Sequence, residues 1–167
     1  MTEGQRNAQG FQFAIVVSTF NQPITDRLLS EALSTFNDSG VQDQDIEVVR
    51  VPGAFELPVV ANCLAKSKRF DSVVCLGAII RGDTPHFDYI SAETSRGIGQ
   101  ASIDSGIPVI FGVLTTNTVE EAMTRSGSGE YNRGADAAKS AMEMASVMKK
   151  LHTANHKSTG FLGALEE

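Results

Sequence analysis

The sequence contains no tryptophan, only two cysteines and no long uninterrupted apolar run. Cys63 and Cys75 lie in apolar surroundings without a CxxC spacing, so neither a zinc cluster nor a disulfide-rich secreted scaffold is indicated. We interpret both as buried free thiols. No segment approaches the roughly eighteen apolar residues of a transmembrane helix, and the polar residues 1–10 lack the apolar centre of a signal peptide. We therefore expect a reducing, cytoplasmic compartment and no membrane contact.

Positive charge is also scarce. Fourteen lysines and arginines stand against twenty acidic residues, which gives a net charge of −6. This excess of negative charge repels nucleic acid and anionic membranes, so an anionic ligand must be held by local groups. With 167 residues, of which 41% are hydrophobic, the chain is long enough for one domain with its own core. We expect a soluble protein whose partners are small molecules.

Four apolar, β-branched runs are typical of strands that are buried on both faces. They cover residues 13–18, 46–51, 72–80 and 108–114. Apolar residues at helical spacing fill the intervals, and a capping box at 118–121 and a longer pattern up to Leu151 predict two further helices. Strands that alternate with helices require parallel pairing through right-handed crossovers. The sequence therefore predicts an α/β fold: a flavodoxin-like, three-layer α/β/α sandwich around a four-stranded parallel sheet.

A single domain over residues 11–152 accounts for all of these elements. We expect residues 1–10 to form a flexible N-terminus and residues 153–167 a flexible C-terminal tail. Ligand sites in open parallel sheets lie at the carboxyl ends of the strands. The loops that follow the four predicted strands are therefore the candidate site.

One of these loops carries an aromatic residue at a strand end, and another carries a lone carboxylate between apolar neighbours. Phe20 follows the first strand, where it could pack in the core or provide a stacking surface for a planar ring. Glu56 lies in the stiff run VPGAFELP (51–58), which two prolines and a glycine constrain. Its carboxylate could favour the first turn of the next helix or accept hydrogen bonds from ligand hydroxyls.

The loop after the third strand combines two chemistries. Backbone N–H groups of residues 82–84, just before a predicted helix, would form an anion site. Because Asp83 is itself negative, backbone donors and a nearby arginine would have to dominate binding of a phosphate. His86 could cap the helix or act as a general base. A phosphate site and a proton acceptor are thus predicted side by side.

Five motifs resemble the 6,7-dimethyl-8-ribityllumazine synthase family, in order from about residue 11 to 151. They are Phe20-Asn21, VPGAFELP (51–58), GAIIRGDTPHFDYI (77–90), PVIFGVLTTNT (108–118) and NRGADAA (132–138). The resemblance implies the lumazine synthase fold and the penultimate step of riboflavin biosynthesis. In that step 5-amino-6-(D-ribitylamino)uracil condenses with 3,4-dihydroxy-2-butanone 4-phosphate, with loss of phosphate and water. It also implies a transferase that uses no metal and no organic cofactor.

The resemblance assigns roles to individual residues. It implies that Phe20 stacks on the pyrimidine, that Glu56 takes the ribityl hydroxyls and that His86 transfers protons. Arg125 would clamp the phosphate through charge-assisted hydrogen bonds. Further contacts are implied for Ala54, Phe55, Ala78, Ile79 and Ile80 around the pyrimidine substrate, for Asp83 and Thr84 at the phosphate, and for Phe111 from a neighbouring subunit. Arg133 and Asp136 stand where the family usually has lysine and often glutamate, so they are possible auxiliary residues.

The resemblance further implies a homopentamer with active sites between adjacent subunits. Twelve pentamers can form an icosahedral shell of sixty subunits, which the absence of an insertion between Arg125 and Arg133 favours. Residues 11–13 would add an edge strand to a neighbour's sheet, and riboflavin synthase is a possible partner.

Two other functions fit the same sequence features. One is a flavin- or lumazine-binding or shell-forming protein without turnover, and the other is a flavodoxin-like binding module. His86 and Arg125 favour the enzyme, because a binding protein needs neither proton transfer nor a phosphate site.

Overall fold

The sheet has the predicted four parallel strands. The computed structural model describes residues 1–128 and 131–159. Its strands are β1 (Phe13–Ser18), β2 (Ile46–Val51), β3 (Ser72–Ile80) and β4 (Val109–Thr116). They lie in the order β2-β1-β3-β4, and β1 pairs in parallel with both β2 and β3. β4 extends to Thr116, beyond the predicted end at Leu114, because Thr115 and Thr116 continue the pairing with Ile79 and Ile80 of β3.

In the described residues, five α-helices cover the two faces of the sheet. They are α1 (Gln22–Asp38), α2 (Leu57–Lys66), α3 (His86–Ser105), α4 (Val119–Arg125) and α5 (Arg133–Thr159). Phe13, Ile15 and Val17 of β1 pack in the core that α1, α4 and α5 cover, whereas Ala14 and Val16 pack under α2 and α3. Both β1 faces are therefore buried, as the continuous apolar run indicated, and the three-layer α/β/α sandwich is confirmed.

The last helix is longer than predicted. The apolar pattern ends at Leu151, but α5 continues to Thr159. Because neither glycine nor proline occurs between Leu151 and Gly160, nothing in the sequence stops the helix earlier. The predicted tail over residues 153–167 is thus helical up to Thr159, and its remainder lies outside the described residues.

The N-terminal residues contact the last helix of the same chain. Arg6 Nε donates to Glu143 Oε1 at 2.6 Å, Lys150 Nζ donates to the Glu3 carbonyl at 2.7 Å, and Ala8 is fully buried. Gln12 N donates to Asp71 Oδ2 at 2.8 Å, also within the chain. The flexibility of residues 1–10 and the addition of residues 11–13 to a neighbour's sheet stay predictions.

The prediction that both cysteines are buried is wrong for Cys63. Cys75 lies inside the sheet on β3 and is completely buried, but Cys63 is exposed on α2. It lies one turn after the exposed Val59, on the face of α2 that points away from the core, so an apolar run in a short helix did not reveal which face was covered.

No helix in the described ranges 1–128 and 131–159 is long and apolar enough to cross a membrane.

Candidate active site

The loop after β1 is held by an extension of the β1–β2 pairing. Thr19 N donates to the Val51 carbonyl at 2.8 Å, and Phe20 N donates to the Pro52 carbonyl at 2.9 Å. These bonds leave the Phe20 side chain 71% exposed in this chain. Core packing is therefore not its role, and the ring is available as a stacking surface.

Asn21 fixes the next turn, although from the sequence it was named only as part of the motif Phe20-Asn21 and was given no role. Its backbone adopts the left-handed conformation, with φ of 61°, directly before α1. Asparagine tolerates this conformation better than most residues, which is the signal that could have identified it. Its Nδ2 donates to the Ala78 carbonyl at 2.9 Å and so joins the loop after β1 to β3.

The loop after β2 presents Glu56 from a short 3-10 turn, Ala54–Glu56. The buried Thr94 of α3 donates from Oγ1 to the Ala54 carbonyl at 3.3 Å and anchors this turn. A Cβ atom at Gly53 would lie 2.9 Å from Glu56 Oε2. Glycine at position 53 therefore leaves the space that the Glu56 carboxylate occupies.

The loop after β3 provides free backbone donors before α3. Arg81 N donates to the Thr116 carbonyl at 2.9 Å, but in the described part of the chain the N–H groups of residues 82–84 have no acceptor. These residues precede α3, which begins at His86 with Pro85 as its N-cap and without a side-chain cap. His86 is thus the first helical residue and not a capping residue.

These three loops enclose a cavity of about 540 Å³, a size typical of small-molecule sites. Its lining contains most of the predicted substrate residues: Phe20, Ala54, Phe55, Glu56, Ala78, Ile79, Ile80, Thr84 and His86. Gly82 of the predicted anion loop lines it as well. Asn21, Gly53, Phe87 and Ile90 also line it, and no role was predicted for them. Asp83 is exposed in the same loop but is not part of this lining. We call this space the first cavity.

The remaining predicted residues lie elsewhere in the chain. Phe111, Arg125, Arg133 and Asp136 line a second cavity of about 330 Å³ at the edge strand β4, which shares no lining residue with the first. Arg125 is exposed and donates to the Glu121 carbonyl at 3.2 Å, and Arg133 donates to Asp136 Oδ2 at 2.9 Å. Within one chain, therefore, His86 and Arg125 line different cavities.

Helix caps hold the arginines of the second cavity. Thr118 Oγ1 accepts from Glu121 N at 3.1 Å, as the capping box predicted, although the Glu121 carboxylate accepts from Asn117 N rather than from Thr118. The buried Asn132 caps α5 by accepting from Gly134 N at 2.7 Å. Its Nδ2 also donates to the Ser126 carbonyl at 2.9 Å and so closes the loop between α4 and α5.

The first cavity offers groups for several binding tasks. Apolar walls and Phe20 suit a planar ring, the Glu56 carboxylate suits hydroxyls, free N–H groups suit an anion, and His86 can exchange a proton. Among the residues that the structure describes, no three His, Cys, Asp or Glu side chains are grouped so that they could hold a metal ion.

Comparison with known proteins gives a consistent result. Residues 10–149 match the family model for 6,7-dimethyl-8-ribityllumazine synthase. A protein of that name from Syntrophus aciditrophicus (strain SB) is 54% identical over 90% of this chain and 98% of its own length. A protein of the same name from Desulfatibacillum aliphaticivorans is 50% identical over 90% of this chain and 97% of its own length. Another from Desulfotalea psychrophila is 52% identical over 89% of this chain and 96% of its own length. The chain therefore belongs to the 6,7-dimethyl-8-ribityllumazine synthase family.

Proposed function

We propose that this chain catalyses the reaction after which its family is named, as a transferase of riboflavin biosynthesis. The substrates are 5-amino-6-(D-ribitylamino)uracil and 3,4-dihydroxy-2-butanone 4-phosphate. The observation that carries the proposal is the first cavity, whose lining combines Phe20, Glu56 and His86 with Gly82 and Thr84 of the anion loop. This set matches a substrate pair made of a planar heterocycle, a polyol chain and a phosphate ester.

The pyrimidine substrate occupies the apolar part of the first cavity. Phe20 stacks on its ring, and backbone groups of residues 78–80 and 54–55 bind its edges. The half-buried Glu56 accepts hydrogen bonds from the ribityl hydroxyls. Gly53 supports this role because it leaves room for the carboxylate.

The chemistry needs positioning and proton transfer rather than a covalent nucleophile. The 5-amino group attacks the ketone, and the carbinolamine loses water to give an imine. A proton is then lost from carbon as phosphate leaves through an enol, and the ribitylamino nitrogen closes the ring with loss of a second water. Orientation of two substrates can supply about 7–11 kcal/mol of the barrier reduction. His86 provides the proton transfers.

The phosphate is bound by the loop 82–84, including Asp83 through its backbone, and by Arg125. Because Arg125 and Phe111 line the second cavity, we place the complete site between adjacent subunits, where one copy's second cavity faces its neighbour's first. Support comes from Phe111, which is 43% exposed on the edge strand β4. Arg133 and Asp136 lie beside Arg125 and adjust the local charge.

The assembly that follows is a homopentamer, and pentamers can associate into a sixty-subunit icosahedral shell. Oligomers with closed symmetry repeat one interface around a ring, so each subunit would contribute to two sites. Riboflavin synthase, which acts on the product, is the candidate partner, and the cytoplasm is the proposed location.

The test is a spectrophotometric assay of lumazine formation with both substrates. Wild type should turn over, and His86→Ala should be slower by about 10²-fold or more, as for loss of a general acid–base group. His152→Ala on α5, which lines a separate groove, is the matched control and should keep wild-type activity. Nearly unchanged activity in His86→Ala would leave the enzyme activity established but make His86 a positioning residue. Tight lumazine binding by wild type without turnover would instead establish the non-catalytic binder.

A further inference from the structure

We propose that Arg81 is a positioning residue that fixes the anion loop 82–84 and the first turn of α3 in their reactive arrangement. This inference rests on the proposed roles of that loop and of His86. Arg81 does not line the first cavity, and it acts through residues that do.

The guanidinium of Arg81 binds the first turn of α3 from across the loop. Its Nη2 donates to Asp88 Oδ1 at 3.0 Å, and its Nη1 lies 3.4 Å from Asp88 Oδ2. This two-point contact sets the direction as well as the distance of Asp88, because the guanidinium is planar. Residues 82–87 are therefore closed into a ring by a side-chain contact.

The same guanidinium lies over the Phe87 ring, with its central carbon 4.1 Å from the ring centroid. Phe87 lines the first cavity next to His86. Stacking of a cation on an aromatic face holds the ring orientation. Arg81 thus supports one wall of the cavity from behind.

A third contact fixes Arg81 itself to the end of β4. Its Nε donates to Asn117 Oδ1 at 3.2 Å, and its backbone N donates to the Thr116 carbonyl at 2.9 Å. The N–H groups of residues 82–84 have no acceptors within the described ranges, so the loop has little internal restraint. Its shape therefore depends on the two ends that Arg81 joins.

Lysine cannot reproduce these contacts. An ammonium group is a point charge, which can pair with Asp88 but cannot at the same time stack flat on Phe87 and donate to Asn117. Arg81→Lys consequently keeps the positive charge but removes the simultaneous contacts with Asp88, Phe87 and Asn117. It therefore separates the effect of the geometry from that of the charge.

The chain contains a matched control at the opposite end of the sheet. Arg69 pairs with Glu47 at 2.9 Å and lies 4.6 Å from the centroid of the Phe70 ring. Arg69 precedes β3, and Glu47 lies at the start of β2, so this cluster has the same chemistry far from the carboxyl ends of the strands. Arg69→Lys therefore measures how the loss of such a contact changes stability, at a position where it does not affect the site.

The experiment compares Arg81→Lys and Arg69→Lys in steady-state kinetics, with inhibition by inorganic phosphate and thermal unfolding measured in parallel. We expect Arg81→Lys to lower kcat about 10-fold, since small misplacement of reacting groups has large kinetic effects. It should also weaken phosphate inhibition and raise KM for the phosphate substrate, while KM for the pyrimidine substrate stays within about twofold. Arg69→Lys should match wild type in kinetics, and both variants should have similar Tm values.

A double variant identifies the route of the effect. If Arg81 acts on kcat through His86, Arg81→Lys should reduce kcat much less in the His86→Ala background than in wild type. Full additivity, equal KM changes for both substrates, or kinetics like those of Arg69→Lys would overturn the proposal. Full activity of His86→Ala would instead contradict the proton-transfer role of His86 but not the proposed function, and phosphate inhibition would still test the loop. Absence of turnover in the wild type would contradict the proposed function itself. Asp88→Asn removes the same ion pair and replaces Arg81→Lys if that variant fails to fold.

Discussion

At the scale of single residues, burial decides how the two thiols react. Cys75 lies inside the sheet, and burial raises the pKa of its thiol to about 12 from the usual 9.0. Cys63 faces solvent on α2. The thiolate is the nucleophilic form of cysteine. Cys75 is therefore unreactive for two reasons: reagents cannot reach it, and its raised pKa keeps it protonated.

We therefore predict that a thiol reagent modifies one cysteine in the native protein and two after unfolding. Raising the pH from 7 to about 9 should leave Cys75 unreactive, because the pKa of Cys75 stays well above that range. Titration with a chromogenic disulfide followed by peptide mass analysis measures both. Rapid native labelling of Cys75 would mean that the sheet opens readily.

Residue types at strand ends were predictable, but their partners were not. Phe20, Glu56 and His86 could be found because a parallel sheet brings the ends of its strands together. The role of Asn21 depends on a positive φ, and that of Phe87 depends on the side of α3 that faces the cavity. Neither property follows from residue type alone, so these residues required the three-dimensional structure.

At the scale of elements, two glycines of α3 differ in what surrounds them. A Cβ atom at Gly97 would lie 2.8 Å from Pro58 Cβ, so this position sets how closely α2 approaches α3. A Cβ atom at Gly99 would meet nothing within 4 Å. Both positions are glycines in the same helix. Comparing the same substitution at each therefore separates the effect of packing from that of helix propensity.

We predict that Gly99→Ala raises the free energy of unfolding by about 0.5–1 kcal/mol through lower backbone entropy in the unfolded state. Gly97→Ala should instead lower the free energy of unfolding, because overpacking against Pro58 costs about 1–3 kcal/mol, which exceeds the entropic gain. Urea unfolding of both variants and wild type gives the comparison. Equal stabilisation by the two substitutions would show that α2 moves away from α3 without cost.

The sequence predicted the bounds of β1, β2 and β3, although only β1 and β3 are buried almost throughout. β1 and β3 are covered on both faces and have the expected bounds, because each is an uninterrupted apolar run. The ends of β4 and α5 were missed since Thr115 and Thr116 are polar and residues after Leu151 lack an apolar stripe. Backbone hydrogen bonding continues there without a hydrophobic signal.

At the scale of the whole molecule, the separation of the two cavities is the main consequence of the topology. β3 ends beneath the first cavity, and β4 forms the sheet edge that borders the second. A single chain therefore has the first cavity with His86 in one place and Arg125 in another. The resemblance implied a site between adjacent subunits, but the motifs did not show that Arg125 lies apart from His86, because the order of loops in a sequence does not give their positions in space.

Mixed assemblies of two inactive variants test whether sites are shared. If His86 and Arg125 of one site come from adjacent subunits, His86→Ala and Arg125→Ala chains combined in equal amounts should regain activity. Random mixing around a ring gives intact pairs at about a quarter of the sites, so about a quarter of wild-type activity is expected after joint unfolding and reassembly. Each variant reassembled alone is the control and should stay inactive. No recovery in mixed assemblies of correct size would place both residues of a site in one chain, because a site confined to one chain would always retain one substitution.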